Sequence, residues 1–234
     1  MTDDIGYMDK GLLLNSIIPQ LNDDTVVIPF FRGESFVHPD CWLILTWLND
    51  GPLKLAIHVN MLRPKIAKFL SGLNNLSLSI SFGDMSNVDI DYKALDYLVK
   101  NVEDLQFSYI DNGEYNPMYD TPPPQRLIEI LKRYKEAVRV RVYEEHSFGG
   151  KLGWHPHNRN HYPCPKPFEE TVILWDGTVA SCNHDWNHVH GLGNVNNFSI
   201  GEIWNDEPYK QLRLQHLGKR PMNDLCKHCS GGSP

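Results

Sequence analysis

Four of the five cysteines in this chain lie in its last third, at Cys164, Cys182, Cys226 and Cys229. Cys164 and Cys182 bracket two strand-like runs, 171–175 and 178–180, joined by the turn Asp176-Gly177. Cys226-Lys-His-Cys229 is a CxxC. Two thiols this close grip one metal centre, and a hairpin can deliver two more to the same point. Spacing alone admits both zinc and a [4Fe–4S] cluster, because both take four thiolates. Cys41 stands alone, ahead of Trp42-Leu-Ile-Leu, and reads as a small buried apolar residue.

The rest of the composition narrows the class. Residues total 234, of which 41% are hydrophobic and 22% charged, ordinary values for a soluble globular chain with a core to bury. The net charge of −7 argues against nucleic acid or an anionic membrane surface bound through a broad basic face. No run approaches the roughly 20 apolar residues that span a bilayer. The polar, acidic start Met-Thr-Asp-Asp does not read as a secretory signal, so the expectation is a cytoplasmic protein. In that compartment the cysteines read as metal ligands rather than disulfides.

Hydrophobic periodicity organises the front of the chain. Residues 11–21 pattern as a helix. Apolar or alternating runs at 25–31, 53–59, 76–82, 105–110 and 138–143 read as strands. Between them fall helical patterns at 41–48, capped by Asp40, then 65–70, 92–101, and 122–134 with prolines in its first turn. Alternation of this kind predicts an α/β fold with a parallel sheet, here an incomplete, partial TIM-like βα barrel over 1–155. Residues 146–167 are rich in Gly, His, Asn and Pro and read as a linker. A small cysteine-rich cluster-binding domain follows over 156–234, with short helices at 199–204 and 207–216. A domain this small leans on its metal for stability.

The tail resembles a known module. Cys164, twelve residues, Gly177, four residues and Cys182 make the first half of the SPASM pattern of radical S-adenosylmethionine enzymes. Gly191-Leu-Gly193-Asn194-Val195, Ser199-Ile-Gly-Glu-Ile-Trp-Asn205, Arg213 and Cys226-Lys-His-Cys229 complete a one-cluster version of it. The resemblance implies that Cys164, Cys182, Cys226 and Cys229 hold an auxiliary [4Fe–4S] cluster, with zinc as the alternative metal. At the front, Phe31-Arg32-Gly33-Glu34-Ser35 resembles the Gly-Gly-Glu-Pro segment that meets the methionyl end of S-adenosylmethionine in the same family, with Arg32 and Ser35 as departures. Val59-Asn60 resembles a strand end that usually reads Thr-Asn-Gly, and Ser79 and Ser81 lie on a strand that in the family reaches the cofactor. By resemblance, Gly33, Glu34, Asn60 and Ser81 are the cofactor-binding residues, and no catalytic residue is assigned.

One defining element is absent. No Cys-x₃-Cys-x₂-Cys occurs in the 234 residues. The chain is then either a truncated or split form lacking a first βα unit, or a degenerate homologue that never cleaves the cofactor. The expected function is that of a SPASM-type radical S-adenosylmethionine protein, acting with an electron donor on a peptide or a small molecule, but inactive as this chain alone. The alternative is a non-catalytic iron–sulfur or zinc accessory module. The histidines at 155, 157, 161, 184, 188 and 190 read as solvated loop residues, and His228 as an exposed residue inside the CxxC.

Overall fold

The computed structural model describes residues 6–29, 34–60, 62–82, 91–111, 125–144, 164–185, 188–220, 222–227 and 229. The chain divides into two compact units, Asn22–Glu145 and a second made of Met1–Leu21 with His146–Pro234. Helix α1 (Lys10–Leu12) is capped by Asp9, whose carboxylate accepts the Leu12 N–H at 2.9 Å. It continues as a π-helical turn (Leu13–Ile17) and a 3-10 turn (Ile18–Gln20) that contains Pro19. A proline donates no backbone hydrogen bond, so regular α-helix gives way around it. Chain order placed this helix with the sheet. It packs instead in the second unit, where Leu12, Leu13 and Ile17 meet Val179, Ile203 and Leu212.

The first unit is a sheet of five parallel strands in sequence order: β1 (Val26–Val27), β2 (Lys54–Val59), β3 (Leu76–Phe82), β4 (Asp104–Asp111) and β5 (Arg139–Glu144). Helices α2 (Cys41–Asn49), α3 (Pro64–Leu70), α4 (Tyr92–Asn101) and α5 (Gln125–Tyr134) connect them. Strands in sequence order with helical crossovers are the expected α/β partial barrel. Strand β1 is shorter than the apolar run 25–31, because Pro29 cannot continue a ladder. Asp40 does not cap α2 through its side chain. Its backbone (φ −97°, ψ 14°) is not extended as a capping residue's is, and its N–H donates to His38 Nδ1 at 3.0 Å. The first-turn prolines expected for α5, Pro122 to Pro124, lie outside the described residues.

Alternation gives the sheet two unlike faces. One carries Leu55, Ile57, Val59, Leu78, Ile80, Phe82, Leu105 and Phe107, all buried. Buried residues of the helices, among them Leu45, Leu70, Leu95, Leu98 and Ile130, complete this core. Phe107 meets Phe82 and Tyr134 edge-on, with centroids at 5.1 and 5.8 Å. The other face carries Ala56 and His58, then Ser77, Ser79 and Ser81, then Asp104, Gln106 and Ser108, then Arg139 and Arg141, brought side by side by the register. A parallel sheet is ordinarily apolar on both faces. A polar row across four strands departs from that pattern.

The second unit holds a three-stranded antiparallel sheet, formed by α6 (Lys166–Glu169) leading into β6 (Val172–Ile173), β7 (Thr178–Ala180) and β8 (Gly193–Asn194). Helices α7 (Ile200–Asn205), α8 (Glu207–His216) and α9 (Asp224–Lys227) follow. The end of the expected linker is thus helical. Pro167 sits in the first turn of α6 and Lys166 Nζ pairs with Glu170 Oε1 at 3.0 Å, one turn on. Gly177 adopts φ +86°, and a Cβ there would lie 2.5 Å from Asn196 Nδ2. Only glycine fits the turn while Asn196 reaches across it to the Asp176 carbonyl at 2.9 Å. Ser199 and Glu202 form a capping box at the start of α7. Arg213 locks α7 to α8: its guanidinium lies 4.2 Å from the Trp204 ring centroid and 4.8 Å from that of Tyr209, and it donates to the carbonyls of Trp204 and Pro167.

Candidate metal centre and cofactor site

The four sequence-predicted thiols come from four different places in the second unit. Cys164 precedes α6, Cys182 follows β7, Cys226 lies in α9 and Cys229 just beyond it. All four are free thiols and half-buried. They share one electrostatic neighbourhood: Cys182 feels Cys229, and Cys226 feels Cys182, Cys229 and Cys164. Burial, aided by these neighbours, pushes Cys182 up to about 11 and Cys226 up to about 12. Thiols gathered in this way resist ionising together until a cation neutralises them. Among the described residues, no three His, Cys, Asp or Glu side chains are gathered tightly enough to hold a single metal ion.

Local hydrogen bonds hold the sulfurs in place. The His184 N–H donates to Cys182 Sγ at 3.4 Å. Asn223 Oδ1 accepts the Cys226 N–H at 2.8 Å, and Asn223 is itself held by Gln215 Oε1 at 3.0 Å. Two residues of the loop after Cys182 are not solvated as expected of a polar loop. His184 is only 5% exposed and Asp185 is 0% exposed. Asp185 organises the turn by accepting from Ser181 Oγ at 3.0 Å, from the Val189 N–H at 3.0 Å and from the His190 N–H at 3.3 Å. A buried carboxylate with several donors is a structural pin.

His216 was not visible as a site residue from the sequence. It closes α8, is 7% exposed, and places its ring between two of the thiol loops. Its Nδ1 accepts the Cys164 N–H at 3.4 Å, and its Nε2 lies 3.6 Å from Cys226 Sγ. Burial lowers its pKa, so the ring is neutral at pH 7. Its only sequence signal was its place at the end of a helix that leads into the CxxC.

In the first unit, Glu34 and Asn60 come together. Glu34 Oε2 accepts the Asn60 N–H at 2.9 Å, just past the C-terminal end of β2. Its other oxygen, Oε1, is buried with no hydrogen-bond partner among the described residues. Burial raises the Glu34 pKa, against the lowering pull of hydrogen bonds from Asn60, Phe36 and Ser35. Ser81 is half-buried and follows Ile80, which is the register partner of Val59, so it stands beside Asn60 on the polar face. Gly33 lies outside the described residues, as do Arg32 and the histidines at 155, 157, 161 and 228. Further along the face, the Ser79 and Ser108 hydroxyls meet at 3.1 Å, and the His58 pKa is lowered by burial and by Arg141. Of these four, only Ser79 stood out in the sequence, on the strand that the resemblance brings to the cofactor; the register shows that they are neighbours. Ligands of parallel sheets bind at the C-terminal strand ends, which is where Glu34, Asn60 and Ser81 lie.

Comparison with known proteins places both units. Residues 164–230 match the family model of SPASM, the iron–sulfur cluster-binding domain. The last third of the chain is thus similar to SPASM domains, and the fold over nearly the whole chain is shared with the solved structures named below. A curated relative, the S-adenosyl-L-methionine-dependent 2-deoxy-scyllo-inosamine dehydrogenase of Niallia circulans, is 31% identical over 107 residues, which is 42% of this chain and 42% of the dehydrogenase. The matched stretch is therefore less than half of either protein. Among solved structures, BtrN in complex with AdoMet and 2-DOIA superposes with a TM-score of 0.58 at 19% identity, over 98% of this chain and 82% of BtrN. Native anSMEcpe with bound AdoMet gives a TM-score of 0.61 at 13% identity, over 97% of this chain and 82% of that one. A further anSMEcpe structure holds AdoMet together with a peptide, Kp18Cys. Among the described residues, no helix is long and apolar enough to cross a membrane.

Proposed function

We propose that this chain is a SPASM-type radical S-adenosylmethionine protein whose Cys164, Cys182, Cys226 and Cys229 hold an auxiliary [4Fe–4S] cluster. The observation that carries the reading is the convergence of these four half-buried thiols in one neighbourhood of the SPASM domain. A four-iron cluster is broader than one ion, so it suits thiols that are electrostatic neighbours without closing on a point. Bound there, the cluster supplies one-electron transfer. The chain's own groups position it: the His184 N–H and the Asn223 side chain fix the Cys182 and Cys226 segments.

The same reading assigns Glu34, Asn60 and Ser81 to S-adenosylmethionine, and with them Gly33, which precedes Glu34 in the sequence. The buried, unpartnered Glu34 Oε1 supports it, because an ammonium donor would satisfy an oxygen whose twin is already held by Asn60. The polar face beyond, with His58, Ser79, Gln106, Ser108 and Arg141, lies where a polar substrate would meet the cofactor. The substrates named for BtrN and anSMEcpe, 2-DOIA and a peptide, make a small polar molecule or a peptide the candidate classes.

A second reading rests on the missing Cys-x₃-Cys-x₂-Cys. That loop leaves one iron open to the cofactor, and a cluster held by four cysteines does not. The 234-residue chain by itself then acts as a cofactor-binding or accessory protein. Incubation with S-adenosylmethionine and dithionite, with product analysis and equilibrium dialysis in parallel, tests both statements. The expected result is bound S-adenosylmethionine without 5′-deoxyadenosine. Turnover by this chain would mean that its cysteines hold a different cluster from the one assigned.

A further inference from the structure

The ring of His216 touches two of the four cysteine loops, and its hydrogen bonds decide where its proton lies. The Cys164 N–H donates to Nδ1 at 3.4 Å, so Nδ1 carries a lone pair. A neutral imidazole has one acceptor and one donor nitrogen, so Nε2 bears the proton. Nε2 faces Cys226 Sγ at 3.6 Å, a hydrogen-bond distance for the larger sulfur atom. Sulfur is therefore the acceptor, as a metal-bound thiolate would be. The ring stands on the last turn of α8, and only 7% of the residue is exposed, so water has little access to this contact.

We propose that His216 is a positioning residue for the cluster, donating Nε2–H to the Cys226 sulfur and thereby raising the cluster's reduction potential while it ties the Cys164 and Cys226 loops to one ring. The inference rests on the four-cysteine reading above. A hydrogen bond to a ligating sulfur stabilises the reduced cluster, which carries more negative charge, over the oxidised one.

The test is an EPR-monitored redox titration of the full 234-residue chain, reconstituted without oxygen with iron and sulfide. His216→Phe keeps a planar ring and removes both nitrogens. It should retain about four irons and lower the reduced-to-oxidised ratio at fixed potential by about tenfold, equivalent to about 59 mV for one electron. His216→Gln, which restores an N–H donor, should recover part of that shift. An unmoved potential in a fully loaded His216→Phe protein overturns the proposal. So does loss of the cluster from both variants with the four cysteines intact, which would make His216 a ligand. Should His216→Phe fail to fold, pulsed EPR of the reduced wild-type protein with ¹⁵N-labelled histidine gives the answer. A weak nitrogen coupling with an exchangeable proton supports the hydrogen bond. A strong coupling, or none, contradicts it. Wild-type protein without labile sulfide would overturn the cluster reading itself and this inference with it, whereas an intact cluster with an unmoved potential overturns only the role of His216.

Discussion

The two units of this chain are held together by different physics. Asn22–Glu145 buries an apolar face of β2 to β4 under four helices, with Phe107 and Ile57 wholly inaccessible. The cysteine-bearing unit has a small core around Val179, Ile203 and Tyr209, and relies on polar fasteners: the Gly177 turn, the Asp185 pin and the Arg213 lock. The continuous apolar face of the sheet unit supplies its stability through burial, at about 25 cal/mol per Å². On the four-cysteine reading, the cysteine-bearing unit gains stability from a bound cluster, whose charge offsets the burial and neighbouring thiols that oppose ionising Cys182 and Cys226. A cofactor-dependent domain joined to a self-sufficient one should therefore fail in parts.

Metal removal gives the largest expected separation. Chelation of the reconstituted protein should abolish hydrogen-exchange protection at Val179 and Leu192 while Ile57, Leu78 and Phe107 keep theirs. Protection that survived at Val179 would show that the small unit folds without metal and break the contrast. The converse is Phe107→Ala, which empties a site between Phe82 and Tyr134 and should destabilise the sheet unit by about 3–5 kcal/mol. Denaturant unfolding should register that loss with the iron content unchanged, and a fall in iron would mean that the two units do not fail separately.

How legible each unit was in the sequence follows the same divide. Strands β2 to β5 were readable because Leu55-Ile57-Val59 and Leu76-Leu78-Ile80 alternate against one buried face. The polar face was not readable, since His58, Ser79, Ser108 and Arg141 become neighbours only through register. The thiols and Gly177 were readable through spacing. His216, Asp185 and the packing of α1 on the second unit depend on long-range placement that no local pattern encodes. Asp40 shows the limit of capping rules: the right residue type stood at the right position, but its backbone turned elsewhere.

Glu34 sharpens the account of the cofactor site. Glu34→Gln keeps shape and removes the charge, and should weaken S-adenosylmethionine binding by about 10–100-fold, the value of a charge-assisted hydrogen bond, with the iron content unchanged. The pH dependence has a definite sign. Because burial raises the folded-state pKa above the usual 4.5, the folded protein holds this proton more tightly than the unfolded chain does. Stability from this group is therefore fully present at low pH and falls as pH rises from 4.5 through the raised value. Binding of a cationic ammonium should run the other way, strengthening as Glu34 ionises. Dialysis across that range should show the rise in wild type and a flat profile in Glu34→Gln. A rise in both would assign the effect to another group.

The smallest expected effect is at the α7 cap. Ser199→Ala removes one half of the capping box with Glu202 and should cost about 1 kcal/mol, seen as a lower denaturation midpoint of the cysteine-bearing unit alone. A matching shift in the sheet unit would show that the two are coupled more tightly than their separate cores imply.

The central claim is the four-cysteine cluster, and iron and acid-labile sulfide analysis of anaerobically purified protein tests it most directly. The account predicts about four irons and four sulfides per chain, lost from Cys182→Ala and retained in Cys41→Ala. Stoichiometric zinc without labile sulfide, or iron that survives Cys182→Ala, would contradict it.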